Sequence, residues 1–248
     1  MFKIGDLWYL LHYYDYYISQ NARGPYRRPP GNFTIDYPEV RVGKRMFDGK
    51  RHIYSGFISL VIGENPPLSG HHGGAQSCMR EIYPGPGGRL YCKPAEEVVN
   101  FFSEKHFEYK SKSNPLPTRI DVPNNYMLEC TAMMSPDAKL DIVLRAQEDL
   151  TDGYHLQIEP SRQMISFRGT GRPIERGGCP IDTSKPVKVQ VFVQGSIIEC
   201  FVNDAYAVTR RVDEHLDGDL ALRVLGGKVE IETLVIRTEK LQEEENAE

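Results

Sequence analysis

The chain has 248 residues, of which 40% are hydrophobic and 26% charged, and its formal net charge is −4 at pH 7. These values are ordinary for a globular protein, and a chain of this length buries roughly three-quarters of its unfolded surface. The sequence has no basic block, and no apolar run approaches the ~18 residues of a membrane span. We therefore predict neither nucleic acid nor a membrane as a partner.

The N-terminal stretch carries no export signal. "MFKIGDLWYLLHYYDYY" lacks the basic start, the long apolar stretch and the small-residue cleavage site of a signal peptide. If the chain is complete, it is therefore expected in the cytoplasm. Within the same stretch, "LWYLLHYY" (residues 7–14) has the apolar and aromatic content of a β-strand.

Short strand signals continue to residue 94. "VRVGKRMF" and "HIYSGFISLVI" flank Asp48-Gly49, which predicts a hairpin with a two-residue type I′ turn, because Asp-Gly tolerates positive φ angles. "GENPPLSGHHGGAQS" contains six Gly and Pro residues and is predicted to be a loop. "REIYPGPGGRLYCKP" predicts another pair of short strands joined by a turn.

The pattern changes after Pro94. "AEEVVNFFSEKHFEYK" predicts a helix with Val98, Val99 and Phe102 on one side, and "SKSNPLPTRIDVPNN" has the three prolines of a linker. We therefore divide the chain into four parts. These are a β domain that ends with the helix (1–110), a Pro-rich linker (111–123), a second β domain (124–240) and an acidic tail expected to fray (241–248).

After the linker, nine closely spaced stretches predict seven to nine strands. They are "YMLECTAMM", "LDIVLRAQ", "YHLQIEP", "MISFRG", "VKVQVFVQG", "SIIECFVND", "YAVTRRV", "DLALRVLG" and "KVEIETLVIRT". The last predicts a half-buried antiparallel strand, with the odd-numbered residues from Val229 to Val235 on one face and Glu230 and Glu232 on the other. The sequence thus predicts an all-β protein that ends in an antiparallel β-sandwich.

Cysteine and histidine patterns point to no metal or cofactor. The five cysteines are too widely spaced for a disulfide framework or a Cys-x-x-Cys zinc site, which predicts buried or unreactive thiols. His71-His72 has the chemistry of a metal ligand pair, but the spacing offers no third ligand. We predict a flexible loop there.

The C-terminal half resembles the β-sandwich that follows the five-bladed propeller in glycoside hydrolase family 32, the β-fructosidases that include invertase, levanase and inulinase. The stretch "VQVFVQGSIIECFVNDAYAVTRRV" is similar to the late hairpins of that sandwich, and "DGYHLQIEPSRQMISFRG" is similar to the strands before them. Upstream, "KRMFDGKRHIYSGFI" resembles the last propeller blade, with Gly56-Phe57 where the family has Gly-Trp. "CMREIYPGPGGRLYCKPAEEV" resembles the family's Pro-Arg-Glu-Leu segment, with Cys78-Met79 where Leu-Pro is usual.

The resemblance implies a partial β-propeller of about two blades in residues 1–110, followed by the sandwich. It also implies that the catalytic acids are missing. Retaining glycosidases use two carboxylates ~5–5.5 Å apart. "FKIGDLWYLL" resembles the stretch that directly follows the family's Glu-Cys-Pro-Asp acid/base segment. Neither that segment nor the family's nucleophile segment is found in the part of this sequence that resembles the propeller.

Two Glu-Cys pairs and an Asn-Asp pair imitate the family's catalytic motifs. Glu199-Cys200 and Glu129-Cys130 lie inside predicted sandwich strands, and Glu199 is predicted to be solvated because it alternates with Ile198 and Cys200. Asn203-Asp204 lacks the neighbouring Trp and Pro of the nucleophile motif and is predicted to be a turn. None of these residues is predicted to be catalytic.

The resemblance leaves a possible sugar surface on the last blades. It aligns Glu39 with an acidic position of the family and Arg41 with the place of an active-site tyrosine, a departure that weakens the case for direct sugar contact. Asp36, Tyr37 and Glu39 are candidates to hydrogen-bond a fructosyl hydroxyl, and Trp8 is a candidate to stack on a sugar ring. Ordinary blade-core aromatics and exposed loop acids are the alternative.

Two classes of function follow. The chain is a non-hydrolytic fragment that serves as a structural or weak carbohydrate-binding module, or it is an active fructoside hydrolase. Hydrolysis would require a non-standard acid pair such as Asp36 and Glu39, or missing blades supplied by a partner. A fructose-containing carbohydrate is the implied ligand. Unpaired propeller edges also predict self-association or a covering partner.

Overall fold

The computed structural model describes residues 1–13, 15–31, 34–36, 40–61, 71–110, 118–169, 175–212 and 214–240. Across these ranges, antiparallel sheets dominate, which confirms the predicted all-β class. No helix in these ranges is long and apolar enough to cross a membrane.

Two antiparallel sheets form the partial propeller. The first has the order β1-β2-β3, and the second has the order β4-β5-β7-β8, with β6 also paired to β5. The predicted strand at residues 7–14 is confirmed as β2, although Tyr14 lies outside the described residues. The strands are β1 (Phe2–Ile4), β2 (Leu7–His12), β3 (Asp15–Ser19), β4 (Val40–Phe47), β5 (His52–Val61), β6 (His71–Gln76), β7 (Arg80–Pro84) and β8 (Leu90–Pro94).

The β4–β5 hairpin is confirmed, but its predicted turn is wrong. Phe47 pairs with His52, so four residues form the loop, and the Asp48 N–H bonds to the Arg51 carbonyl. The Asp48 carboxylate accepts the N–H groups of Lys50 and Arg51. These two hydrogen bonds stabilise the four-residue loop, in which only Gly49 has a positive φ, of 98°.

The predicted loop "GENPPLSGHHGGAQS" is wrong at its end. His71–Gln76 forms strand β6, in which His72 pairs with Leu60 of β5, while residues 62–70 lie outside the described part of the chain. Backbone pairing to an available neighbour has overridden the weak strand propensity of Gly and His.

The predicted helix after Pro94 is also shorter than its sequence pattern suggests. Helix α1 spans Glu96–Phe101, and the end of the stretch forms strand β9 (Glu104–Lys110). Phe102, predicted to lie on one side of the helix with Val98 and Val99, follows the end of α1 and is buried, and Val98 and Val99 pack against the same apolar cluster. Strand β9 pairs with the last strand of the chain, because its alternating side chains suit a sheet edge.

The sandwich consists of two six-stranded antiparallel sheets. The distal sheet has the order β10-β19-β12-β13-β14-β15, and the interface sheet has the order β18-β17-β16-β11-β20-β9. All nine predicted stretches form strands, and β10 and β15 are also present. The strands are β10 (Arg119–Ile120), β11 (Tyr126–Met134), β12 (Lys139–Ala146), β13 (Tyr154–Glu159), β14 (Met164–Gly169), β15 (Glu175–Gly178), β16 (Val187–Gln194), β17 (Ile197–Val202), β18 (Tyr206–Arg211), β19 (Asp219–Gly226) and β20 (Val229–Thr238).

The predicted alternation of β20 is wrong in its second half. Ala132 of β11 pairs with Ile231, but the neighbouring Thr131 pairs with Thr233, so that β20 carries one extra residue. This β-bulge reverses the side-chain phase, and Leu234 and Ile236 are buried where Val235 was expected. The prediction failed because an alternating pattern does not reveal where a bulge lies.

The interface sheet is buried on both faces. Its inner face, with Val191, Ile198 and Cys200, belongs to the sandwich core. Its outer face contributes Phe192 and Phe201 to a second core, which it shares with residues of the propeller sheets. The propeller part therefore packs against the sandwich through an apolar interface.

Candidate functional site

Three buried charged residues meet where the propeller part contacts the interface sheet. Arg80, at the start of β7, donates through Nη1 to the Asp36 carboxylate and through Nη2 to the Glu199 carboxylate of β17. Exposure is 0% for Arg80, 2% for Asp36 and 3% for Glu199. We call Asp36, Arg80, Glu199 and the adjoining Thr209 the interface charge cluster.

Local structure fixes each acid of the cluster. Asp36 forms an isolated parallel bridge with Ala207 of β18, and its Oδ1 accepts the Thr209 N–H at 2.9 Å. Glu199 faces Thr209 across the β17–β18 pair, and its Oε1 accepts the Cys78 N–H at 2.8 Å. The cluster thus connects the segment at residue 36, the start of β7 and two sandwich strands.

The cluster holds two carboxyl groups and one guanidinium. Burial, which outweighs the attraction of Arg80, raises the pKa of Glu199 above its ordinary value. Burial likewise raises the pKa of the neighbouring Cys78 thiol, so that this thiol is a poor nucleophile. Strong burial and a positive charge shared between two acids are features of a structural ion-pair network as well as of an active site.

The geometry excludes the two acids of the cluster as a glycosidase pair. A retaining glycosidase must hold a sugar between its carboxylates. In this cluster the Arg80 guanidinium bonds to both acids and fills the space between them. All three side chains are closed to solvent, so the arrangement can join parts of the protein but cannot receive a substrate.

The prediction that Glu199 is solvated is wrong. Its own face of β17 also carries Ile197 and Phe201, while Ile198 and Cys200 cover the other face. A strand that is apolar on both faces is typical of one buried on both sides. The sequence "IIECFV" already shows apolar residues on both faces of the strand. The dismissal of Glu199 as a catalytic acid agrees with its pairing to Arg80.

Sequence reasoning missed Arg80 and Thr209 altogether. Arg80 lies in "CMREIYP", where nothing distinguishes it from the arginines of surface strands. The position of Thr209 in "YAVTRRV" shows only that it shares a face with Ala207. Their shared partner Asp36 is 44 residues from Arg80 and 173 residues from Thr209 in the chain, separations that local patterns do not report.

The described candidates for the predicted sugar surface have different surroundings in the structure. Both carboxylate oxygens of Asp36 are engaged inside the cluster. Trp8 is half-buried on β2, where it pairs with Lys3 and Ser19. Arg41 lies on β4, and its Nη1 donates to the Tyr13 hydroxyl at 3.2 Å. Tyr37 and Glu39 lie outside the described residues.

The cysteines follow the prediction of buried or unreactive thiols. All five are free, four are buried and Cys78 is intermediate. No group of three or more His, Cys, Asp or Glu residues suited to a metal ion is found in the described ranges. Glu129, the second imitation of the acid/base motif, lies in β11 and accepts from Arg237 at 3.2 Å.

Comparison by sequence finds no relative: no family model matches, and no curated protein matches. Comparison by structure does find proteins of similar fold. The chain is similar to an exo-inulinase from Aspergillus awamori, with a TM-score of 0.71 and 16% identity over 91% of this chain and 50% of that chain. It is also similar to fructan 1-exohydrolase IIa from Cichorium intybus, with a TM-score of 0.68 and 14% identity over 91% of this chain and 54% of that chain.

A third similar structure is a GH32 β-fructofuranosidase from Bombyx mori, with a TM-score of 0.59 and 15% identity over 92% of this chain and 47% of that chain. The chain therefore spans about half the length of the structures that it matches. Its class is that of an antiparallel blade-and-sandwich protein. More particularly, it has the fold of about half of a glycoside hydrolase family 32 β-fructosidase, which confirms the resemblance at the level of fold.

Proposed function

We propose that this chain is a β-fructosidase-type module that does not hydrolyse glycosides on its own. One observation carries the proposal: Asp36, half of the suggested non-standard acid pair, is closed to solvent and bonded to Arg80 and Thr209. Glycoside hydrolysis needs two acids that flank the sugar. Both acids of the cluster instead bond to groups that join the propeller part to the sandwich.

The same module is proposed to bind a fructose-containing carbohydrate weakly through the propeller part. Two observations on similar structures support this ligand class: the Cichorium fructan exohydrolase is also known in complex with 1-kestose, and the Bombyx β-fructofuranosidase in complex with sucrose. The candidate contacts are Trp8 and Arg41, together with Tyr37 and Glu39. Asp36 is withdrawn from this set because no oxygen of its carboxylate is exposed.

Hydrolysis is tested by incubating the purified chain with sucrose, inulin and levan and measuring released reducing sugar. We expect no release above that from heat-denatured protein, while an active fructan exohydrolase serves as the positive control. Turnover that disappears in Glu39→Ala would overturn the proposal in favour of a non-standard acid. Turnover that survives in Glu39→Ala and Asp36→Asn would point to a different pair.

Binding is tested by tryptophan fluorescence, because Trp8 is the only tryptophan in the chain. We expect 1-kestose to shift or quench the emission at millimolar concentration, and maltose, which contains only glucose, to leave it unchanged. Arg41→Ala should weaken the response if the sugar lies between Trp8 and β4. An unchanged emission with every fructoside would contradict the carbohydrate-binding half of the proposal.

A second candidate is a hydrolase that is complete only with further polypeptide. The observation that favours it is the shared length, since about half of each similar structure has no counterpart in this chain. The mass of the native assembly tests this idea. A stable complex with a second protein that restores fructoside cleavage would support it, and a homogeneous assembly of this chain alone would count against it.

A further inference from the structure

A second buried arginine lies at one end of the sandwich, away from the interface charge cluster. Arg145, in β12, is 2% exposed, and its Nη2 donates to the carbonyl of Gly195 in the β16–β17 turn. Its Nε and Nη1 have no hydrogen-bond acceptor among the described residues. A guanidinium remains charged in proteins, and a buried charge without a counter-charge is strongly unfavourable.

A second polar group faces the same difficulty. The hydroxyl of Tyr126, a residue that is 1% exposed, has no partner within the described ranges. Gly195, whose carbonyl accepts from Arg145, donates its N–H to Asn125 Oδ1 at 2.9 Å, so Arg145 and Tyr126, the residue after Asn125, lie at the same end of the sandwich. Each orphaned polar group in a native structure calls for an explanation, and a bound ion or water is the usual one.

The backbone holds Arg145 in a conformation that a side-chain-bearing residue seldom adopts. Its φ is +54°, in the left-handed region, at a point where the pairing of β12 with β19 is irregular. A Cβ atom on Gly218 would lie 2.8 Å from the Arg145 carbonyl carbon, and one on Gly153 would lie 3.0 Å from its oxygen. The two glycines therefore pack against this backbone at distances that leave no room for a Cβ atom. Such strain persists only where the surroundings impose it, and it is concentrated at functional sites.

No carboxylate of the described residues hydrogen-bonds to the Arg145 guanidinium, because Nε and Nη1 have no acceptor there and Nη2 donates to a carbonyl. The carboxylate that acts on it electrostatically is that of Asp217, which is exposed and forms no ion pair with it. The Asp217 carbonyl is occupied by Gln147, whose Nε2 also donates to the Arg145 carbonyl. These contacts hold the loop at residue 217 against the Arg145 backbone, and the guanidinium has no carboxylate partner among the described residues.

We propose that Arg145 and Tyr126 form a buried binding site for a small monovalent anion of the halide class, held by the guanidinium and the phenolic hydroxyl. One negative charge balances the single guanidinium. A larger polyanion would bring excess negative charge towards the Gly195 carbonyl and the Asp217 carboxylate. The anion would stabilise the end of the sandwich where β12, β11 and the β16–β17 turn meet, and this role is independent of the proposed carbohydrate function.

Bromide is the probe, because it replaces chloride and scatters X-rays anomalously. Crystals of the full chain grown with sodium bromide should show an anomalous peak within hydrogen-bond reach of the Arg145 guanidinium and the Tyr126 hydroxyl. A water molecule at that position, or bromide only on the protein surface, would overturn the proposal.

Thermal unfolding gives a second measurement. At constant ionic strength, replacing gluconate by bromide should raise Tm by about 3–5 °C for each tenfold increase in bromide above the dissociation constant. Arg145→Met should abolish this dependence, and Tyr126→Phe should raise the half-saturating concentration several-fold. The matched control is Arg119→Met, since Arg119 pairs with Asp219 and is 40% exposed, and this variant should keep the dependence.

The two measurements together decide the matter. Retention of the bromide effect in Arg145→Met would show that the anion acts elsewhere and would reject the site. If Arg145→Met does not fold, the anomalous peak in the unaltered protein and the shift in Tyr126→Phe still test the proposal. An unaltered protein whose Tm is independent of bromide, without an anomalous peak, would also reject it.

Discussion

Arg80 is the residue on which the contact between the propeller part and the sandwich depends most. It bonds to two acids that come from segments far apart in the chain, and its guanidinium also lies over the Phe201 ring at 5.1 Å. The cluster has no access to solvent. Loss of the cation would therefore leave two buried carboxylates without a counter-charge, which is more costly than loss of an exposed pair.

We predict that Arg80→Met lowers the free energy of unfolding by about 3–5 kcal/mol, the usual cost of removing one partner from a buried ion pair. The measurement is urea denaturation of the full chain at pH 7. Arg119→Met is the control because it removes an arginine from a half-exposed pair with Asp219, and it should cost at most about 1 kcal/mol. Equal losses in the two variants would show that the cluster contributes no more than a surface contact.

At the residue scale, the sequence predicts the secondary structure in which a residue lies better than it predicts the residue's hydrogen-bond partners. The strand position of Glu199 and the turn at Asn203-Asp204 follow from local patterns, and both residues of the turn have φ of 54°. The partner of Glu199 does not follow, because no local rule relates residue 199 to residue 80. For Asp36 the same limit applies: the resemblance placed it near a sugar, and its bond to Arg80 became visible only in three dimensions.

At the element scale, β20 shows how one extra residue changes the meaning of a strand. The bulge opposite Thr131 and Ala132 moves the buried set from odd to even positions. Strand existence, pairing direction and ends were predictable from β-branched residues and turn residues. The buried face after residue 232 was not, because the bulge depends on the twist and pairing of β11.

A pair of substitutions tests which side chains of β20 face the sandwich core after the bulge. Leu234→Ala should lower the free energy of unfolding by about 2–5 kcal/mol because Leu234 is fully buried in the sandwich core. Val235→Ala, one residue further on, should cost less than about 1 kcal/mol because Val235 points away from that core. Chemical denaturation of both variants provides the comparison. A larger loss for Val235→Ala would restore the simple alternation predicted from the sequence.

At the scale of the whole molecule, the predicted division into two β domains, a linker and a tail remains a prediction, and the structure shows how the two β parts are connected. Strand β9 precedes the predicted linker at residues 111–123 but pairs with β20 at the edge of the interface sheet. The outer face of the same sheet is covered by the propeller part. The sandwich therefore uses residues on both sides of the predicted boundary, and self-association through propeller edges also stays a prediction.

Shortened chains test the boundary. Both residues 104–240 and residues 124–240 are expected to give the circular dichroism spectrum of a β protein, because the shorter piece loses only Ile120 and Val122 of the buried sandwich core. The longer piece should have the higher urea midpoint, since it keeps β9 and β10 on the sheet edges. Equal midpoints would show that the edge strands add nothing, and an unfolded spectrum for both would show that the sandwich needs the propeller part.

The long separation between Asp36 and Thr209 has a consequence for synthesis of the protein on the ribosome. Asp36 and Arg80 leave the exit tunnel early, whereas Glu199 and Thr209 follow more than a hundred residues later. During that interval the early half carries an apolar surface and a charged pair whose final neighbours do not yet exist. Contacts of such range form slowly and leave nascent chains open to aggregation. We therefore expect the first hundred residues to need chaperone protection until β18 emerges.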